Sequence, residues 1–163
     1  MTSDLLRASQ TAQISTLGAP LSPTPLLREI FLGQAEGFTR DEIQIKWKES
    51  WEQWNSLRWQ SYETRFPGGE SRREGLERFF MLFQSLIPLF NLNKNIGLFT
   101  HGLILRSFAQ WATGSEIPQF TTPNCCVYEW DGNFAQPLHF NSAYKDRPRL
   151  RQIYLLPDES LSL

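Results

Sequence analysis

An apolar run from Ile96 to Thr100 stops at His101-Gly102 and passes straight into a helical pattern, Leu103 to Thr113, closed by Gly114. Strand, tight turn and helix in that order form the unit from which α/β folds are built. Ile96 to Thr100 is read as a short buried strand and Gly102 to Thr113 as a helix with a glycine stop. In open α/β sheets, ligands gather at the carboxyl ends of strands, and His101 falls at such an end. The N–H groups and the dipole of the following helix make the same point attractive to an anion. Gly102 lets backbone and ligand approach closely. A histidine with only a structural hydrogen bond fits the same spacing, so the partners of His101 decide its role.

Other segments supply candidates. Ser3 to Ser15 is read as a helix capped by Ser3, with Asp4 at its positive end. Arg7, one turn in, can present a planar fork to a phosphate or simply face solvent. Residues 18–25, with Gly18, Pro20, Pro23 and Pro25, make a stiff connector. The apolar segment Leu26 to Leu32 carries Arg28 and Glu29 and is broken by Gly33 and Gly37. A carboxyl group against apolar walls is suited to general acid work, whereas on the segment's other side it is a solvated charge.

Two capping boxes, Thr39-Arg40-Asp41-Glu42 and Ser71-Arg72-Arg73-Glu74, mark helix starts. The first helix is expected to run through the 50s with Ile43, Trp47, Trp51 and Trp54. The second carries Leu76, Phe79, Phe80, Phe83 and Ile87 at helical spacing. Phe66 to Gly69 is a loop, and Glu70 is a charge next to the Ser71 cap. Asn91 to Asn95 is a turn. Cys125 to Trp130 and Phe134 to Phe140 read as a hairpin around Asp131-Gly132, and Leu150 to Leu156 as one more strand.

At 163 residues, with 40% hydrophobic and 20% charged residues, the chain fits one globular domain, 1–163. A net charge of −1 gives no basic field for nucleic acid. No apolar run is long enough for a membrane helix, and MTSDLLRASQ has no secretory pattern. Adjacent Cys125 and Cys126 suit neither a disulfide framework nor a metal knuckle, so a cytoplasmic location is expected.

Four stretches, SDLLRASQTA, LREIFLGQAEG, PGGES and FTHG, occur in this order. Together they resemble the histidine phosphatase superfamily, also called phosphoglycerate mutase-like, from about Ser3 to Trp130. The resemblance implies a three-layer α/β/α sandwich with a mostly parallel sheet and phosphoryl transfer through a phosphohistidine, without metal or cofactor. By position, Arg7 resembles the phosphate-pocket arginine and Glu29 the acid that protonates the leaving group. His101 resembles the second pocket histidine, which steadies the transferring phosphoryl group, and Gly102 would lend a backbone N–H. Glu70 and Ser71 resemble pocket-rim residues that touch a small phosphorylated substrate. Positive groups on the equatorial oxygens and an acid on the leaving oxygen are what phosphoryl transfer needs.

The resembled family's nucleophile is the histidine of an Arg-His-Gly motif, and no Arg-His-Gly occurs in these residues. His139, in QPLHF, lacks the flanking arginine and glycine. The resemblance therefore implies a domain incomplete at its N-terminus and lacking the family's first strand. Phosphomonoester hydrolysis belongs to the full-length form, and the chain as written is expected to be inactive or very weak. A non-catalytic protein that binds phosphate ligands or a protein partner is the alternative. The family also implies that 38–66 is a helical insert or lid. Trp47, Trp51 and Trp54 share one face there, packed on the core or offered to a partner.

Overall fold

The computed structural model describes residues 1–56, 59–92, 95–114, 122–132, 134 and 137–154. Thr2–Ser3 is a strand (β1), and helix α1 spans Leu6–Ser15. The expected Ser3 helix cap is therefore corrected. Ser3 is drawn into a sheet, and the helix starts after Leu5 with no side-chain cap. β1 pairs in parallel with β2 (Pro23–Thr24), and Thr2 bridges in parallel to Phe99. The Ser3 N–H donates to the Phe99 carbonyl at 2.8 Å, and the Phe99 N–H donates to the Met1 carbonyl at 3.0 Å. Ile96 to Thr100 is thus extended beside β1 but half-buried, with one bridge instead of a full ladder. The Pro23 ring has no N–H for a ladder, which suits an edge position.

The first capping box forms as read. Thr39 Oγ1 accepts from the Glu42 N–H, and the Glu42 carboxylate accepts from the Thr39 N–H. The helix it opens is not continuous through the 50s. It divides into α2 (Arg40–Lys46) and α3 (Lys48–Trp54), because Trp47 leaves helical geometry with φ −130° and ψ 53°. That break turns the Trp47 ring onto Phe38 and Phe66. Trp54 is buried against Phe66, and Trp47 and Trp51 pack on the same core. The tryptophan face is turned inward, where the burial of large rings stabilises the segment.

Helix α4 (Arg72–Phe90) opens on the second capping box and contains Pro88 in its last turn. Helix α5 (Gly102–Thr113) ends on Gly114 in the left-handed conformation, as the sequence indicates. The two helices meet through aromatic rings: Phe79 on Phe108 at 5.2 Å and Phe80 on Trp111 at 4.6 Å. Strand β3 (Val127–Asp131) lies over α5 through Trp130 and Phe108.

Among the described residues β3 does not form the expected hairpin with Phe134 to Phe140. It pairs antiparallel with β4 (Arg149–Tyr154). Leu138 is buried in the core, Phe134 stacks on Phe83 and Phe90, and the Trp111 indole donates to the Phe140 carbonyl at 2.8 Å. Phe134, Leu138 and Phe140 are thus held by core packing, which outweighs local turn chemistry. The strand read at Leu150 to Leu156 exists as β4. Leu155 and Leu156 lie outside the described residues, as do positions 93 and 94 of the Asn91 to Asn95 turn.

Among the described residues the architecture is α/β, with two small sheets and helices packed around an aromatic core. No described helix is long and apolar enough to cross a membrane.

Candidate phosphate site

The first and last segments of the candidate site converge on His101. β1 ends in Ser3, α1 carries Arg7 one turn on, and His101 is the residue before α5. Arg7 Nε donates to His101 Nδ1 at 3.2 Å, and His101 Nε2 lies 2.9 Å from Ser3 Oγ. Since Nδ1 accepts, the imidazole is the neutral tautomer with its proton on Nε2, donated to Ser3. His101 is 8% exposed. Burial, reinforced by the Arg7 and Arg78 cations, pushes its pKa down to about 4, with Asp4 partly offsetting them.

A histidine held neutral in the fold is protonated more readily when the chain unfolds. Stability is therefore fully present above the ordinary pKa of 6.5 and is lost as pH falls toward about 4. The expected loss from this group is about 3 kcal/mol. Denaturant midpoints measured from pH 7 to pH 4 should fall accordingly, with a flatter profile for His101→Gln. Equal slopes for the two proteins would contradict this.

Glu29 sits at the start of α5. Its Oε2 accepts from the Leu103 N–H at 2.9 Å, and its Oε1 accepts from the Ile104 N–H at 2.8 Å and the Ile30 N–H at 3.0 Å. It thus caps the helix from 75 residues away in sequence. It takes the second and third helical N–H groups and leaves the first, that of Gly102. A Cβ at Gly102 would lie 3.1 Å from Thr122 Oγ1, so a glycine suits this crowded turn.

The segments LREIFLG and PGGES lie side by side. Glu70 N–H donates to the Phe31 carbonyl at 2.7 Å, and Gln34 N–H to the Pro67 carbonyl at 2.9 Å. Gly33 makes this approach possible. Its φ is +59°, and a Cβ there would fall 2.3 Å from the Pro67 carbonyl oxygen. Glu70 is gripped by Arg78 through two bonds of 2.9 Å. Ser71 is buried, and its hydroxyl accepts from the Glu74 N–H at 3.2 Å as the α4 cap. The structure therefore brings Arg7, His101 and Gly102 to one helix N-terminus with Glu29 behind it. It holds Glu70 and Ser71 in the adjoining loop by structural bonds.

Three participants escape the sequence reading. Ser3, a helix cap by residue type, instead meets His101 Nε2 with its hydroxyl. Asp4 is paired with Arg28 by bonds of 2.6 and 2.8 Å, which lowers the Asp4 pKa. Arg78 donates to the carbonyls of Pro25, Leu26, Arg28 and Glu29 as well as to Glu70. The available signal for Arg78 was its place on the border of the apolar stripe of α4, between Leu76 and Phe79.

A family model for the histidine phosphatase superfamily (branch 1) matches residues 1–141. A 2,3-bisphosphoglycerate-dependent phosphoglycerate mutase from Methylobacterium radiotolerans is 29% identical over 119 residues. That match covers 69% of this chain but only 55% of the mutase, so the chain spans about half the length of this curated relative. Among solved structures, a mycobacterial glucosyl-3-phosphoglycerate phosphatase in complex with inorganic phosphate superposes with a TM-score of 0.69 at 20% identity. The superposition covers 93% of this chain and 73% of that one. A second structure, described as mycobacterial hydrolase 1, gives a TM-score of 0.65 at 20% identity with the same coverage. At that identity the likeness speaks for the fold alone. With the family model spanning most of the sequence, the chain belongs to the histidine phosphatase superfamily.

Proposed function

We propose that this chain carries the phosphate-binding part of a phosphomonoester hydrolase site. The observation that carries the reading is the Arg7–His101 contact of 3.2 Å at the N-terminus of α5. A guanidinium, an imidazole N–H and a free helical N–H at one point are what a phosphoryl group's equatorial oxygens require. In this reading Arg7 binds the phosphate, His101 steadies the transferring group from Nε2, and Gly102 donates its N–H. Glu29 donates the proton to the leaving oxygen. Its Oε2 has one acceptor bond against two at Oε1, so it has the lone pair for that proton. Glu70 and Ser71 form the rim.

The nucleophilic histidine of the family is not among these residues. Hydrolysis accordingly belongs to a longer form with the full three-layer sandwich and parallel sheet, acting as a soluble cytoplasmic enzyme without metal or cofactor. Its single domain would include 38–66 as the lid. The names of the mutase and phosphatase relatives favour a small phosphorylated hydroxy acid as substrate. The 163 residues alone bind phosphate and turn over weakly or not at all, since covalent catalysis is lost with its nucleophile. That same absence favours a second reading, a non-catalytic binding protein, which differs from the first only in turnover.

Titrating inorganic phosphate while following the His101 ring resonance tests the site. A bound dianion offsets Arg7 and Arg78, so the His101 pKa should rise from about 4. Arg7→Ala should abolish the rise and weaken binding more than about tenfold. A His101 resonance indifferent to phosphate into the millimolar range would overturn the reading.

A further inference from the structure

Gly102, the first residue of α5, is helical and is not among the glycines with positive φ. Any residue could adopt that backbone, so its use lies in the side chain it lacks. A Cβ at Gly102 would lie 3.1 Å from Thr122 Oγ1, 3.7 Å from the Thr122 carbonyl oxygen and 3.8 Å from Thr122 Cβ. The glycine lets Thr122 close on the N-terminus of α5 with its hydroxyl foremost.

The approach is fixed from the residues that follow. Pro123 disfavours helical backbone at Thr122. The Cys126 N–H donates to the Pro123 carbonyl at 3.3 Å and closes a turn. β3 begins at Val127, pairs with β4, and is anchored on α5 by Trp130 against Phe108 at 5.1 Å.

Two polar groups meet unpartnered at this contact. Thr122 is half-buried, and its hydroxyl makes no hydrogen bond among the described residues. Gly102 is half-buried too, and its N–H is the one left open when Glu29 takes those of Leu103 and Ile104. The neighbouring hydroxyls are already engaged, Ser3 with His101 and Thr100 with the Leu27 carbonyl. Covering a hydroxyl and an amide together is favourable only when both find an acceptor, and one oxygen of a dianion serves both.

We infer that Thr122 is a further phosphate-binding residue, whose hydroxyl donates to the phosphoryl oxygen that also receives the Gly102 N–H. The inference rests on the phosphate reading of the Arg7–His101 site and adds to it a segment outside the four motifs. Its ligand is the same dianion, inorganic phosphate or the phosphoryl group of a monoester.

Calorimetric titration with inorganic phosphate at pH 7 compares the parent with Thr122→Val, Thr122→Ser and Arg7→Ala. Thr122→Val keeps the branched shape and removes the donor, so Kd is expected to rise about tenfold. Thr122→Ser keeps the donor and should stay within about threefold of the parent. The hydroxyl bonds nothing within the described chain, so Thr122→Val should melt within about 2 °C of the parent. Parent-like phosphate binding by Thr122→Val, or binding by Thr122→Ser as weak as that of Thr122→Val, would overturn the inference. Failure of the underlying reading looks different: phosphate would bind Arg7→Ala as tightly as the parent.

Discussion

In a form of the protein that includes an Arg-His-Gly nucleophile, His101→Ala is expected to lower kcat for phosphomonoester hydrolysis by about 10²–10³-fold. The imidazole ring is fixed from both sides, by Arg7 at Nδ1 and by Ser3 at Nε2, so in the proposed role its Nε2–H has only to exchange Ser3 Oγ for a phosphoryl oxygen. A donor on a ring already held in place needs little reorganisation, which is why its removal is expected to cost so much. The substitution should not unfold the chain. It removes a buried imidazole that burial and two arginines oppose charging, and acid stability should improve rather than decline. Single-turnover rates with p-nitrophenyl phosphate, beside melting curves at pH 7 and pH 5, would check both halves. A rate within about threefold of the parent would mean that His101 only holds structure.

Arg78→Ala should destabilise the fold by about 3 kcal/mol. Its side chain is 21% exposed, and Glu70, its partner, is 20% exposed. The fork reaches Glu70 through two bonds and gathers four backbone carbonyls of residues 25–29. Truncation strands a half-buried carboxylate and loosens the segment that carries Glu29. For a chain of this size that corresponds to a fall in Tm of about 6–12 °C. Arg78→Lys should recover less than half, because an ammonium cannot serve a bidentate carboxylate and a row of carbonyls at once. A drop in Tm below about 2 °C for Arg78→Ala would contradict this account. Glu29 displacement predicts in addition that α5 loses its cap, visible as faster amide exchange at Leu103 and Ile104.

Local chemistry was legible where neighbours in sequence supply both halves of an interaction. Thr39 with Glu42 and Ser71 with Glu74 are three residues apart, and both boxes form as read. Gly114 closes α5 through its own backbone freedom. The family was legible because four short motifs keep their order. Errors came where a distant element competes with a local signal. Ser3 is a good helix cap by type, yet its backbone N–H donates to the Phe99 carbonyl and draws it into a strand. Asp131-Gly132 is a good hairpin turn by type, yet β4 is the partner β3 takes.

The sequence by itself determined where α2, α4 and α5 begin and which apolar stripe α4 buries. Only the tertiary structure decided who faces whom. Ser3 and His101 are 98 residues apart, Arg7 and His101 are 94 apart, and Glu29 and Ile104 are 75 apart. Helical and strand periodicities report the face a residue occupies within one element. They carry nothing about the orientation between elements, which the parallel contact of Phe99 with β1 and the aromatic seam between α4 and α5 fix together.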